Sequence, residues 1–446
     1  MRLLPPPGPA RVLTLGTLVK TVGRGLWLVA SVLFLTRSVG LSVTQVGIGL
    51  TISALVGVLA STPSGYLADR LGPRGVQVGA LFAAGTLTVG LVAVRSFPTF
   101  VLVGAATALA DAVERGARGA LIAGAIPADQ RVRTRAYLRA TTNVGISVGA
   151  VLGGFAIAAE TRNGYVALIL AAAAASLAAA VVFVRLPSFA PVAAPAHGPR
   201  LVALRDRPFL AFTLVDGLMS MHFSLLTIAL PLWIAGHTRA PIWMISALTL
   251  VNTVLVVLLQ VRAARTAATL PAAARAARRA GVAIALACVL FAASGALPTA
   301  GAVGLLGLGA VAHVIGELWH SAAGWGISFG LAPADAQGQY QGTYGMGYEL
   351  GKMLAPVVVT TLALGWGVPG WLVLGGLFLL LGALVPPVVR WAGRTRPLSG
   401  PAEPEPALSL DRRSGGSIWQ ANSRADGAGT PTGGIGAPRG RATTRP

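Results

Sequence analysis

VGIGLTISALVGVLASTPSGYLADRLGPRGVQVGALFAAGTLTVG, residues 46–90, sets two apolar runs on either side of a short charged stretch. Each run, 46–67 and 76–94, has about the 20 residues that an α-helix needs to cross the hydrocarbon core of a bilayer. In lipid every backbone N–H and C=O must find its partner inside the segment, so these runs read as spanning helices. The charged stretch GYLADRLGPRG, residues 65–75, places Asp69, Arg70 and Arg74 where the chain leaves the lipid. Gly65 and Gly72 permit close helix packing and a tight turn. Asp69 is placed to cap or face a helix N-terminus, with the arginines holding the acid and phospholipid head groups.

The same reading extends along the chain. Apolar runs at 12–36, 100–122, 137–158, 165–184, 209–234, 242–261, 280–296, 302–329, 343–364 and 366–389 bring the expected total to twelve spans. Of the 446 residues, 54% are hydrophobic and 11% charged, against roughly a quarter charged in an average soluble domain. Such a chain cannot cover itself with polar surface and is solvated by lipid. The formal charge of +21 does not point to nucleic acid, because the arginines lie in short clusters between apolar runs and no basic helix interleaves with aromatics. The single cysteine, Cys288, excludes a disulfide framework and a cysteine-based metal site.

Basic residues in short loops orient a membrane protein. Eighteen arginines, from Arg2 and Arg11 through the loop clusters to Arg394 and Arg396, fall on one side. Only Arg37, Arg95, Arg162 and Arg239 fall on the other. Both termini are therefore expected in the cytoplasm, with the chain in the plasma (inner) membrane. The expected organisation is a first six-helix bundle (1–186), a cytoplasmic connector (187–208), a second six-helix bundle (209–392) and a disordered cytoplasmic tail (393–446), the tail having too little apolar surface to offset chain entropy.

The two halves echo each other. TLVK at 17–20 recurs as TLVD at 213–216, an offset of 196, and IPADQ at 126–130 is echoed by APADA at 332–336, an offset of 206. At the second offset Asp111 matches Glu317, Asn143 matches Glu349 and Gly145 matches Gly351. Two pseudo-symmetric halves with a solute site between them are a known transporter architecture.

Gly65, Asp69, Arg70, Gly72 and Arg74 resemble the signature loop of the major facilitator superfamily, Gly-x-Leu-Ala-Asp-Arg-x-Gly-x-Arg. The resemblance implies a cytoplasmic brace between the halves, although the equivalent loop of the second half, 262–279, does not match. Gly145, Gly149, Gly153 and Gly154 resemble the fifth helix of proton-coupled exporters, with Ala150 in place of the usual proline. That resemblance favours export over uptake; close packing of small residues accounts for the same glycines. ERGARGALIAG, residues 114–124, resembles the charged fourth helix of many members. The resemblance further implies that helices 1, 4, 7 and 10 line a central cavity.

Those four helices carry conspicuous ionisable residues, each costly within a membrane and a functional candidate by default. Lys20, Arg24, Trp27 and Ser31 share a stripe of helix 1; Asp216, Ser220, Phe223 and Thr227 share the equivalent stripe of helix 7. Helix 4 holds Asp111, Glu114, Arg115 and Arg118, and helix 10 holds His313, Glu317 and His320 on one face. The candidates for coupling and cavity are Lys20, Arg24, Asp111, Glu114, Asp216, His313 and Glu317. Lys20 and Asp216 are expected to approach across the interface in the cytoplasm-closed state. Glu317, flanked by the two histidines, is the expected proton carrier. His222, off the stripe, is expected to pack or hydrogen-bond, Arg115, Arg118 and His320 to snorkel near the cytoplasmic ends, and Glu349 and Lys352 to pair.

The function expected is secondary active transport of a small solute by a monomer working by alternating access, with protons as the coupling ion. No cofactor, metal or nucleic acid is expected, and the chain is not expected to be an enzyme. It lacks the Gly-rich loop with Lys and Ser/Thr that ATP hydrolysis needs. Two other classes remain open: a membrane-embedded lipid-modifying enzyme, and a non-transporting sensor of the same fold.

Overall fold

A computed structural model describes residues 5, 7–157, 161–188, 191 and 200–395, and over them the chain is all-helical. The helices are α1 (Pro9–Leu33, prolonged by a π turn Phe34–Ser38), α2 (Val43–Leu71), α3 (Pro73–Gly90) and α4 (Phe97–Ala125). They continue with α5 (Ala128–Ile157), α6 (Arg162–Phe183), α7 (Arg207–His237) and α8 (Met244–Ala263). The last are α9 (Leu270–Ser294), α10 (Thr299–Leu331), α11 (Gln337–Thr360, prolonged to Gly365) and α12 (Val368–Thr395). Among the described residues ten helices are long and apolar enough to cross a membrane; α5 and α11 are not among the ten. Large apolar side chains cover the outside: Leu28, Leu59, Phe82, Leu102, Leu250 and Val357 expose 62–71% of their surface. A face of that kind is stable against lipid tails.

Local chemistry ends and starts the helices. Ser42 and Gln45 form a reciprocal capping box on α2. Thr161, Asp206 and Thr269 each accept a backbone N–H in the first turn of α6, α7 and α9. Gly72, at φ +89°, is the one-residue link between α2 and α3, and Pro73 begins α3. The expected charged loop is therefore a correction: Asp69 and Arg70 belong to the last turn of α2.

Helices also run beyond the lengths expected from apolar runs. α5 begins at Ala128, so Arg131, Arg133 and Arg135 are helical and not loop residues; α9 likewise takes in Arg275, Arg278 and Arg279. A backbone keeps its hydrogen bonds after the side chains turn polar, so hydropathy marks where lipid contact stops and not where the helix stops. α12 reaches Thr395, three residues into the expected tail; 396–446, and 189–190 and 192–199 of the connector, lie outside the described residues.

α1 packs on α5 and α6, α2 on α4, and α3 on α4 and α6. α9 packs on α10 and α12, α7 on α11 and α12, and α8 on α10. Between these groups α2 and α4 meet α11, and α5 meets α8 and α10. The repeat offsets reappear in the crossings. A Cβ on Gly145 would strike Thr21 of α1, and a Cβ on Gly351 would strike the carbonyl of Gly217 of α7. Positions 21 and 217 differ by 196, and 145 and 351 by 206.

Candidate functional site

At the end of the molecule where α2 turns into α3, Asp69 is buried. Its carboxylate accepts the backbone N–H groups of Gly338 (2.8 Å) and Gln339 (3.0 Å) in the first turn of α11. Those donors have no intrahelical partner, and the dipole of α11 favours a negative charge there. A Cβ on Gly65 would collide with the Gly338 carbonyl, and one on Gly342 with that of Ser61, so glycine is what lets α2 and α11 approach. Arg70 stacks over Tyr66 (5.0 Å to the ring centre), and Arg74 donates to the Leu186 carbonyl at 3.0 Å. The five motif residues thus serve a helix contact, a turn and two anchors.

Deeper in, Lys20 of α1 donates to Glu114 (2.9 Å) and Asp111 (3.2 Å) of α4. Glu114 is 1% exposed and also accepts from Gln77 (2.8 Å), with Arg118 3.6 Å away. Buried charges of this kind survive when partnered and hydrogen-bonded on all sides. The expected approach of Lys20 to Asp216 does not occur, although the Asp69 end is shut. Each finds its partner nearer to hand, Lys20 on α4 and Asp216 on α10.

α10 differs from expectation too. Glu317 accepts from Arg139 of α5 (2.7 Å) and Asn252 of α8 (3.0 Å). Its flanking histidines make their hydrogen bonds to His222 of α7 instead: His222 Nδ1 to His313 Nε2 at 3.1 Å and His222 Nε2 to His320 Nδ1 at 3.1 Å. His320 Nε2 lies 3.2 Å from Asp216 Oδ1, and Tyr344 of α11 also engages Asp216. His320 is buried, which corrects the expectation that it snorkels. The acid at the end of the imidazole chain is thus Asp216 and not Glu317.

The tautomers of this chain follow from one carbonyl. His313 Nε2 lies 3.0 Å from the backbone oxygen of His222, which can only accept, so Nε2 carries the proton. His222 Nδ1 then accepts from the same N–H, His222 Nε2–H donates to His320 Nδ1, and His320 Nε2–H faces Asp216. All three rings then carry their proton on Nε2, and among the described residues His313 Nδ1 and His320 Nε2 are both buried without a hydrogen-bond partner.

Between these clusters lies a cavity of about 360 Å³. Its walls come from α1 (Arg24), α4 (Arg115, Arg118), α7 (Phe223) and α10 (His320, Ser321, Trp325), and chiefly from α5 and α11. α5 supplies Arg135, Leu138, Arg139, Thr142, Asn143 and Ile146; α11 supplies Gln341, Tyr344, Gly345, Tyr348, Glu349 and Lys352. The expected four-helix lining is thus enlarged to six. Arg24 and Lys352 are exposed, and Lys352 is the α11 lining residue farthest from the Asp69 contact, so the cavity opens away from that closed end. Arg135 and Gln341, equivalent positions at offset 206, touch at 3.1 Å.

Sequence reasoning missed Arg135, Arg139, Asn252 and Tyr344 as cavity or charge partners. The signal for the first two was helical spacing: Arg131, Arg135 and Arg139 recur every four residues and lie inside one helix. His222, off an ideal α-helical stripe and expected to pack or hydrogen-bond, does hydrogen-bond, but with two imidazoles of α10. The chain there is a 3₁₀ turn, Ser220–His222, which turns farther per residue and swings the ring toward α10.

Comparisons with known proteins agree with this architecture. A family model described as Major Facilitator Superfamily matches residues 13–330. Over 121 residues the chain is 27% identical to the uncharacterized MFS-type transporter YqjV of Bacillus subtilis (strain 168); the match takes in 27% of this chain and spans only 30% of that relative's length. A bacterial homologue of the iron transporter ferroportin in an outward-facing state superposes with a TM-score of 0.69 at 15% identity, over 86% of this chain and 99% of that one. The human organic anion transporter MFSD10 (TETRAN) superposes with a TM-score of 0.62 at 19% identity, over 85% and 100%. At those identities the structures share the fold. The family match covers most of the chain, and this protein belongs to the Major Facilitator Superfamily of membrane transporters.

Proposed function

We propose that the chain is a proton-coupled secondary transporter that moves a small solute by alternating access. The observation that carries this reading is a polar cavity in the middle of a lipid-solvated molecule, shut at one end by Asp69 on the first turn of α11. Opening that contact and closing the far end would carry a solute across without a continuous pore. α5 and α11 complete twelve spans in two six-helix halves, at residues 1–186 and 209–392 about the connector 187–208. They are polar in their first halves, to Asn143 and Lys352, because those stretches face the cavity and not the lipid. The working unit in this reading is a monomer. The arginine excess puts both termini in the cytoplasm of a plasma membrane.

The proton path is the chain His313–His222–His320–Asp216. His320 touches the cavity and the other members lie behind it, so a proton on Asp216 and a solute at the wall can influence one another. Export is the favoured direction by resemblance in the fifth helix, while the packing of Gly145 and Gly149 on α1 explains these glycines structurally. The test is flux in proteoliposomes with and without an imposed pH difference. Accumulation that follows the pH difference, abolished by Asp216→Asn and sharply reduced by Asp69→Asn in well-inserted protein, is the expected result. Absence of flux with turnover of a lipid substrate would replace the reading with an enzyme; binding without flux would replace it with a sensor.

A further inference from the structure

Charge in the cavity is one-sided. Arg24, Arg115, Arg118, Arg135, Arg139 and Lys352 line it, against the single carboxylate of Glu349. The acids behind the wall are already engaged: Asp111 by Lys20 and, at longer range, by Arg115 and Arg24, Glu114 by Lys20 and Arg118, and Glu317 by Arg139. Among the described residues Arg24, Arg115 and Arg135 have no carboxylate within 4.0 Å; Arg135 donates to the neutral amide of Gln341, and its guanidinium lies 5.5 Å from the ring centre of Phe329. The Nε atoms of Arg118, Arg135 and Arg139 are buried without an acceptor. Arginines that orient a membrane protein sit at its water-facing ends, whereas these lie inside α1, α4 and α5. The cations outnumber the acids that act on them, and an excess of positive charge around a partly enclosed cavity favours a negative partner.

The rest of the wall is aromatic. Phe223, Trp325, Tyr344 and Tyr348 face the same space, and the guanidinium of Arg139 lies 4.7 Å over the ring of Phe223. A guanidinium fork matches carboxylate or phosphate oxygens two at a time and presents a flat face to a ring. We propose that this cavity takes a small organic anion, its acidic head held by Arg24, Arg115 and Arg135 and its planar apolar part against the aromatic side chains. At about 360 Å³ the space suits one small molecule. The proposal rests on the transport reading only in making that anion the cargo.

Binding can be measured apart from flux, with the full chain in detergent and three probes of one shape: phenylacetate, phenylacetamide and phenethylammonium. Phenylacetate is expected to raise the apparent melting temperature and to saturate below about 10 mM, the amide and the ammonium to do little. Arg24→Gln with Arg115→Gln should weaken phenylacetate tenfold or more, while Arg162→Gln, at the start of α6 and outside the cavity, should leave it unchanged. If the double variant does not fold, the three-probe series on the native chain decides alone. Equal stabilisation by the amide, preference for the ammonium, or no effect of phenylacetate overturns the proposal. Anion binding without flux in proteoliposomes removes the transport reading and keeps the anion site. Flux of a cationic or neutral solute keeps transport and removes the anion.

Discussion

Asp111 on α4 and Glu317 on α10 lie 206 residues apart, an offset at which the sequence echoes itself, and their surroundings differ in kind. Around Asp111 the partners are permanent ions and an amide: Lys20, Glu114, Arg118 and Gln77 compensate one another. Around α10 the acid itself is held by Arg139 and Asn252, and the adjoining groups are three linked imidazoles that end on Asp216. The first cluster has no neutral alternative and acts as a clamp between α1 and α4. The second is built of rings that each have two tautomers and, in the proposed reading, relays a proton without moving a helix. An acid kept at a repeated position therefore does not imply a repeated role; the partners supplied by other helices decide it.

The largest expected effect tests the clamp. Lys20→Met leaves Glu114 and Asp111 short of their cation in a buried site, which costs about 3–5 kcal/mol. Folded yield and melting temperature in detergent should drop sharply and recover in part when Glu114→Leu is added. A single variant as stable as the native chain would show that these charges are not mutually dependent.

Next comes the closed end. Gly65→Val forces a side chain against the Gly338 carbonyl and should cost about 1–3 kcal/mol while loosening α2 from α11. A cysteine at Thr343, now buried beside Thr62, should become labelled faster in that background. The native Cys288 is also buried and should not interfere. Unchanged labelling would mean that the two helices do not part there.

The imidazole chain should respond mainly in function. His222→Phe removes both ring-to-ring links and leaves His320 Nδ1 without a partner, while His313 Nε2 keeps the backbone carbonyl of residue 222, for about 1–3 kcal/mol of stability. Flux driven by a pH difference should fall at least tenfold, whereas Glu317→Gln should retain most of it. Equal losses in both variants would return Glu317 to the role of carrier and erase the contrast between the clusters. The smallest change belongs to the rim: Glu349 and Lys352, 3.5 Å apart and partly exposed, should shift stability by less than about 1 kcal/mol when Glu349→Gln is made.

How much of the site could be read in advance varies by residue. Asp69 facing a helix N-terminus was legible because a short acid among glycines at a helix end has few other uses. Glu114 and Lys20 were legible as buried and charged, but the cation assigned to the α7 acid went to α4. The stripe of α1 gives the direction in which Lys20 leaves its own axis and says nothing about which helix stands opposite. Arg135 and Arg139 were hidden for a simpler reason: a run of arginines beside a turn resembles an orientation signal, and only the helical path from Ala128 turns two of them into the cavity.

The sequence by itself determined that the chain is helical and solvated by lipid, since apolar run length and backbone hydrogen bonding are local properties. It also determined the family, through a motif whose glycines, acid and arginines answer to one helix contact, and the presence of costly charges in helices 1, 4, 7 and 10. The tertiary structure alone decided which charge neutralises which, that α5 and α11 carry much of the cavity wall, and that three histidines, two on α10 and one on α7, form a single chain. Those outcomes depend on distances of about 3 Å between helices far apart in sequence, and on a 3₁₀ turn that no periodicity announces.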